Sequence, residues 1–261
     1  MRIPPRPLIG VLAVVVYATI MALCWAATGA DYATIPDTTG QLLSGVVVTV
    51  GAAVLFAAVL TTWLGWWGPA LREERTFAPR WALIVPVLMA LVALTNVVSI
   101  DYAAKDLSWV ATLALGVAFV GFGEELTTRG LALVGFRGSL SEMASWLLSS
   151  VLFALLHSIN ALFGQSLVVT AGQMVFAFLL GSALYVVRMS TGTLVVAMVL
   201  HAVWDFGALG MSGSGAGATV ISVIGNLLST ALMLVGLIAA IVVARRVDRE
   251  RARQPVEQSA A

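Results

Sequence analysis

Long runs without a charged residue constrain the fold of this chain more than any other feature. Six runs contain no Asp, Glu, Lys or Arg, and even the shortest, residues 107–123, approaches the length of a membrane helix. The runs lie between Arg6 and Asp31, Asp37 and Arg72, Arg80 and Asp101, Asp106 and Glu124, Glu142 and Arg188, and Asp205 and Arg245. A helix crosses the hydrocarbon core of a bilayer with about 20 apolar residues. The sequence therefore predicts a polytopic membrane protein.

Composition excludes several other classes of protein. Of 261 residues, 60% are hydrophobic and 10% are charged, against about 45–50% and about 25% in soluble domains. A net charge of +1 offers no basic surface for nucleic acid. Cys24 is the only cysteine, so the chain can form neither an internal disulfide nor a cysteine metal site.

Cutting the runs at charges and turn-forming residues predicts an all-α bundle of eight membrane helices, since open strands cannot satisfy their backbone in hydrocarbon. The predicted spans are Leu8–Ala27, Leu42–Trp66, Trp81–Ile100, Leu107–Leu126, Ala144–Phe163, Leu167–Val187, Thr193–Gly210 and Val220–Ala244. Residues 1–244 form one transmembrane domain, and residues 245–261 are predicted to be a charged, disordered cytoplasmic tail. The first span also resembles a signal peptide, but its length favours a retained helix.

Basic residues segregate to one side of this predicted topology. With both termini inside, all of the 14 Lys and Arg residues except Lys105 fall on the inner side. The outer connections carry Asp31, Asp37, Asp101 and Asp106. The positive-inside rule therefore predicts a multi-pass protein of the inner (plasma) membrane with both termini in the cytoplasm.

Ionisable side chains inside or at the ends of the spans are the functional candidates, because each is costly in hydrocarbon. They are Glu124, Glu125, Arg129, His157, His201 and Asp205. Helical spacing places Glu125 and Arg129 on one face, and His201 and Asp205 on another. Taken singly, these residues are also consistent with a charged helix end and with histidines that join helices by hydrogen bonds.

A carboxylate and two imidazoles support two kinds of chemistry. They can activate water for attack on an amide carbonyl and stabilise the oxyanion, or they can bind zinc as a His₂Glu set formed by Glu124, His157 and His201. The sequence leaves both open, although we expect no cofactor. The H-E-x-x-H and G-x-S-x-G motifs of zincins and serine hydrolases are absent.

The order E-E-x-x-x-R, F-x-x-x-H, H-x-x-x-D resembles the CPBP family, also called Abi, of intramembrane proteases, which includes the CAAX prenyl endopeptidases. The resemblance covers about residues 123–206 and extends to further positions typical of the family. These are Gly130, Ser149, Gly181, Tyr185, Thr191, Gly192 and Leu194. Two positions differ from common family residues. Thr128 replaces the aromatic or large apolar residue often found before the arginine, and Asp205 stands where the eukaryotic CAAX enzymes have asparagine, although bacterial members use either.

The resemblance implies an intramembrane endopeptidase in which Glu124 and His157 activate water while His201 and Asp205 form the oxyanion side. Glu125 and Arg129 would be supporting residues. An ionised Asp205 would repel an oxyanion, so it must be protonated or must instead orient His201. The expected partners are membrane lipids and a peptide or protein substrate, with or without a lipid, and no nucleic acid.

Two functions other than proteolysis are alternatives for this sequence. One is a catalytically silent membrane binding or scaffold protein of the same fold, of the bacteriocin self-immunity type. The other is a transporter with an acidic relay, which the lack of an internal repeat disfavours.

The predicted end of the fourth span at Leu126 places Glu124 near the inner surface and both histidines deeper in the membrane. These residues meet only if residues 139–146 are partly an interfacial helix. We therefore expect a cavity that opens to the cytoplasm and cleavage near that face.

Overall fold

The computed structural model describes residues 1–73, 78–215 and 219–258, with side chains up to Arg253. Eight helices are long and apolar enough to cross a membrane, and the described residues contain no strand, only an isolated bridge between Arg72 and Thr193. The helices are α1 (Pro7–Thr28), α2 (Thr39–Leu64), α3 (Arg80–Val98), α4 (Leu107–Arg137), α5 (Glu142–Phe163), α6 (Leu167–Thr191), α7 (Leu194–Ser214) and α8 (Val220–Gln258). The all-α membrane bundle with eight spans is confirmed.

Helix α4 does not end at Leu126 as predicted but continues to Arg137. Its charges have partners inside the protein, because Arg129 pairs with Glu125 at 2.8 Å and Arg137 pairs with Glu73 at 2.9 Å. The segment Leu126–Ala132 is locally π-helical, a variant often found at functional sites. Glu124 therefore lies well inside the bundle, about 20 Å along the helix from Arg137.

The predicted interfacial helix at residues 139–146 is wrong. Helix α5 begins at Glu142, and the Ser141 side chain caps it by accepting from the backbone N–H of Ala144. The Glu142 side chain is fully buried and is bound by Arg137 at 2.5 Å. The longer α4, rather than a shorter fifth span, brings Glu124 to the depth of the histidines.

Helix α8 continues past residue 245, where the sequence predicts a tail to begin, and runs to Gln258. The Asp248 carboxylate accepts hydrogen bonds from the backbone N–H groups of Glu142 and Met143, at 2.6 and 3.1 Å. A carboxylate at a helix N-terminus is stabilised by the exposed N–H groups and the helix dipole. This contact anchors the charged part of α8 to α5, while residues 259–261 lie outside the described part of the chain.

Helices α4 and α7 cross closely at Gly121. A Cβ atom at this position would collide with the backbone carbonyl of Met198 and would lie 2.9 Å from the Cβ of Ala202. Glycine therefore allows the two backbones to touch. This crossing lies one turn from Glu124 on α4 and next to His201 on α7, so it sets the distance between the two side chains.

Candidate active site

A cavity of about 520 Å³ lies within the bundle, and side chains from six of the eight helices line it. It brings together all four residues predicted to be catalytic. These are Glu124 on α4, His157 on α5, and His201 and Asp205 on α7. Residues separated by more than 80 positions in the chain thus share one buried space.

His201 is the centre of the polar contacts in this cavity. Its Nδ1 lies 3.1 Å from Glu125 Oε1, and its Nε2 lies 4.0 Å from Glu124 Oε2 and 3.5 Å from Asp205 Oδ2. A carboxylate only accepts hydrogen bonds, so this contact assigns a proton to Nδ1. The other nitrogen then faces the cavity between Glu124 and Asp205.

Glu125 connects His201 to Arg129. The predicted pair is present: Arg129 Nη1 donates to Glu125 Oε1 at 2.8 Å, and both side chains are fully buried. The same guanidinium nitrogen donates to Thr128 Oγ1 at 2.7 Å, and Thr128 donates to the backbone carbonyl of Glu124 at 2.6 Å. The contact of Glu125 with His201 has no signature in the sequence, because the two residues are 76 positions apart.

Phe153 packs against three of the polar residues at once. The Arg129 guanidinium carbon lies 4.1 Å from the centre of its ring, a cation–π contact. The rings of His157 and His201 approach it edge-on, at centroid distances of 5.1 and 5.6 Å. Gly181 on α6 makes room for this arrangement, since a Cβ atom there would collide with Arg129 Nη2 and lie 3.0 Å from Phe153.

His157 lies where α5 changes from an α-helix to a 3₁₀-helix, which covers His157–Phe163. Its Nδ1 is 2.9 Å from the backbone carbonyl of Phe153. A carbonyl only accepts, so Nδ1 is the donor and Nε2 is available to exchange a proton.

Several buried oxygens near the site have no hydrogen-bond partner among the described residues, and two of them concern Glu124 and its surroundings. One is Glu124 Oε2, and the other is the hydroxyl of Tyr17 on α1. A Cβ atom at Gly123 would lie 2.6 Å from that hydroxyl, so Tyr17 reaches the backbone beside Glu124. Sequence reasoning assigned no role to α1, because a tyrosine among apolar residues is an ordinary feature of a membrane helix.

A second polar group lies towards the cavity mouth. Asn160 donates to Gln173 at 2.9 Å, and Gln173 donates to the Tyr32 hydroxyl at 2.9 Å. Burial raises the pKa of Tyr32 to about 12, so its hydroxyl stays protonated at neutral pH. Sequence reasoning missed these residues because it searched for charged side chains, and all three are neutral.

The cavity reaches the surface at the end of the bundle opposite the arginine-rich connections. Its lining includes the exposed residues Ala33, Gly164, Ser166 and Ser212. These residues belong to the α1–α2 connection, the α5–α6 connection and the last turn of α7. In the predicted orientation this is the outer end, which differs from the opening to the cytoplasm expected from the sequence.

The described residues contain no group of three or more His, Cys, Asp or Glu side chains placed to hold a metal ion. The zinc set inferred from the sequence, Glu124, His157 and His201, nevertheless shares the cavity. Both chemical alternatives therefore concern the same three side chains.

Residues 105–207 match the family model described as Type II CAAX prenyl endopeptidase Rce1-like. The match contains every candidate site residue from Glu124 to Asp205, and it confirms the resemblance drawn from the motifs. No curated protein and no solved structure matches the chain.

Proposed function

We propose that this membrane protein is an intramembrane endopeptidase that hydrolyses a peptide bond with water activated by Glu124 and His157. The observation that carries the proposal is the convergence of Glu124, His157, His201 and Asp205 on one buried cavity. The family match supports the same chemistry, since CAAX-type endopeptidases are peptide hydrolases. A purely structural role would not require all four side chains to face one internal space.

In this mechanism the Glu124 carboxylate takes a proton from a water molecule, and the water oxygen attacks the peptide carbonyl carbon. The carbonyl oxygen becomes an oxyanion. It is stabilised by His201 in its imidazolium form, which carries protons on both Nδ1 and Nε2, and by a protonated Asp205 side chain. The bond from carbon to nitrogen then breaks, and the proton held by Glu124 passes to the leaving amine. His157 Nε2 accepts a hydrogen bond from the attacking water and keeps it aligned.

The supporting residues keep His201 in place. Glu125 accepts the Nδ1 proton of His201 at 3.1 Å and is itself held by Arg129. A carboxylate that accepts from Nδ1 fixes the ring orientation and also stabilises the imidazolium form, whose second proton lies on Nε2. We therefore assign Glu125 and Arg129 as positioning residues.

Zinc is the alternative means of activating the water. Elemental analysis of the purified protein, with activity measured before and after chelation, separates the two mechanisms. The glutamate mechanism predicts activity without stoichiometric zinc and no response to chelators. Stoichiometric zinc, with activity lost on chelation and restored by zinc, would instead make Glu124, His157 and His201 ligands.

We place the protein in the plasma membrane with both termini in the cytoplasm. The distribution of basic residues supports this orientation, because all of the 14 Lys and Arg residues except Lys105 fall on the predicted cytoplasmic side. Arginine and lysine near the ends of spans favour the cytoplasmic side.

The test of the proposed function compares protein termini in cells that express the wild type or the Glu124→Gln variant. Glutamine has the shape of glutamate but cannot act as a base, so cleavage should stop while the protein still inserts. Asp37→Asn is the matched control, since it neutralises an exposed carboxylate that does not line the cavity. Identical termini in wild type and Glu124→Gln would reject the proposal.

A further inference from the structure

The position of the cavity mouth decides which side of the membrane supplies the substrate. The exposed lining residues Ala33, Gly164 and Ser166 lie in connections at one end of the bundle. From there the cavity passes Asn160 and Asp205 to reach Glu124 in the interior. Access to the site is therefore along the helices from this end.

The two ends of the bundle carry opposite charges. The end with the mouth carries Asp31, Asp37, Asp101 and Asp106, with Lys105 as its basic residue in the described connections. The other end carries most of the arginines, among them Arg2, Arg6, Arg72, Arg80, Arg137, Arg188 and Arg245. The arginine end is the cytoplasmic end by the positive-inside rule, so the mouth faces the opposite side.

The arginine end of the bundle is closed by buried residues. Every residue from Gly123 to Phe136 is buried. Beyond this segment, Glu73 binds Arg188 at 2.5 Å and Arg137 at 2.9 Å. The backbone carbonyl of Arg129 also accepts a hydrogen bond from Arg188. A peptide entering from this end would have to break these buried ion pairs, each of which is costly to separate.

From this arrangement we infer that the substrate enters from the extracytoplasmic side and is an uncharged, largely apolar peptide segment. The inference rests on the proposed function. It adds the side of the membrane from which the substrate enters and the chemical class of the substrate. Among the described residues, the charged lining groups are those of the site itself. The apolar walls include Met21, Trp25, Ile35, Val46, Phe176 and Leu209.

The neutral polar chain near the mouth fits the same class of substrate. Tyr32, Asn160 and Gln173 all line the cavity and offer amide and hydroxyl groups. Such groups can pair with the backbone of an extended peptide without selecting a charged side chain. An exported protein or the outer end of a membrane helix supplies a segment of this kind.

Cysteine labelling tests the side of access without any need for catalysis. In a Cys24→Ala background, single cysteines are introduced at Ala33 in the mouth, at Ala208 in the cavity wall, and at Ser139 on the opposite end. Ser139 is exposed and lies outside the cavity lining, so it is the matched control. A membrane-impermeant maleimide is added to intact spheroplasts and, separately, to permeabilised ones.

We expect Ala33→Cys and Ala208→Cys to react in intact spheroplasts, and Ser139→Cys to react only after permeabilisation. Reaction of Ala33→Cys or Ala208→Cys only after permeabilisation would overturn the inference. Failure of Ala208→Cys to react under either condition would also contradict it, because a position lining an open cavity must be reachable.

A second measurement concerns the substrate itself. Termini that depend on Glu124 should map to extracytoplasmic, uncharged segments, and termini in cytoplasmic segments would overturn the assigned side. The proposed function and the side of access can fail independently. If wild-type cells contain no termini that depend on Glu124, the proposed function is rejected. The labelling pattern would still show on which side of the membrane the cavity opens.

Discussion

Glu125 accepts hydrogen bonds from two side chains that reach it from different directions. Arg129 approaches along the same helix, and His201 approaches from α7. Both contacts use Oε1, and all three side chains are almost completely buried. A change at this position therefore affects a charge and the orientation of an imidazole together.

Replacing Glu125 with glutamine should destabilise the protein more than Glu124→Gln does, because it leaves Arg129 buried without an anionic partner. Losing one partner of a buried ion pair costs about 3–5 kcal/mol. Thermal unfolding in detergent should show a lower Tm for Glu125→Gln than for the wild type or Glu124→Gln. Equal Tm values for all three proteins would mean that the pair contributes nothing to stability.

Asp205 has two roles left open by the sequence, and the geometry favours one of them. Glu125 already holds His201 Nδ1, so Asp205 is not needed to orient the imidazole. Asp205 Oδ2 instead lies 3.5 Å from Nε2 on the cavity side. This position suits a protonated Asp205 that donates to the oxyanion.

The Asp205→Asn variant separates these roles, because asparagine is a permanent donor of the same shape. We expect kcat/KM to stay within about tenfold of the wild type across neutral pH. A fall of about 10–100-fold at every pH would show that Asp205 orients His201, as expected for the loss of a partner of this kind.

At the scale of whole helices, apolar runs predict where a span exists but not where it ends. The eight spans follow from hydrophobicity alone, and the structure confirms them. The prediction ended α4 at Leu126 because three charged residues lie close together there. Charges end a span only when they face water or headgroups, and here Glu125 and Arg129 neutralise each other inside the bundle. Partners from other segments decide such a boundary, and local sequence does not show them.

The contact between Asp248 on α8 and the start of α5 should contribute to stability, although the sequence places Asp248 in a predicted tail. Removing the Asp248 carboxylate by Asp248→Ala exposes the N–H groups of Glu142 and Met143 at the start of α5. Loss of such a cap costs about 0.5–2 kcal/mol. Thermal unfolding should show a lower Tm for this variant and an unchanged Tm for Asp37→Ala, whose carboxylate is exposed. Matching Tm values for the two variants would show that the contact is not formed in the membrane protein.

At the scale of the whole molecule, the candidate site was predictable and its direction of access was not. Intramembrane glutamates and histidines are rare enough to be found by inspection, and the structure places all four predicted catalytic residues on one cavity. The mouth depends on how far each helix extends and on small residues such as Gly121 and Gly181 that let helices approach. These are properties of packing that local sequence does not show, so the predicted helix ends could not place the mouth of the cavity.

The ion pairs that close the arginine end predict a pH dependence of stability. Burial alone would raise the pKa of Glu73, but Arg188 and Arg137 outweigh it and hold the pKa below its ordinary value. A carboxylate with a lowered pKa in the folded state stabilises the protein above its unfolded pKa of about 4.3, and the contribution is lost as pH falls through the folded pKa.

The Glu73→Gln variant isolates this contribution. As pH falls from neutral to below the ordinary glutamate pKa of about 4.3, the Tm of the wild type should fall more steeply than that of Glu73→Gln, and the two curves should approach each other. Parallel curves over the whole range would mean that the ion pairs do not stabilise the folded state.

If Glu124 is the base that activates the attacking water, its replacement should stop peptide hydrolysis by the purified protein. A peptide that contains a cleavage site found in cells is incubated in detergent with wild type, Glu124→Gln or Asp37→Asn, and kcat/KM is determined for each. We expect kcat/KM to fall by about 10²–10⁴-fold for Glu124→Gln and to keep its wild-type value for Asp37→Asn. A kcat/KM for Glu124→Gln within threefold of the wild type would contradict this role of Glu124.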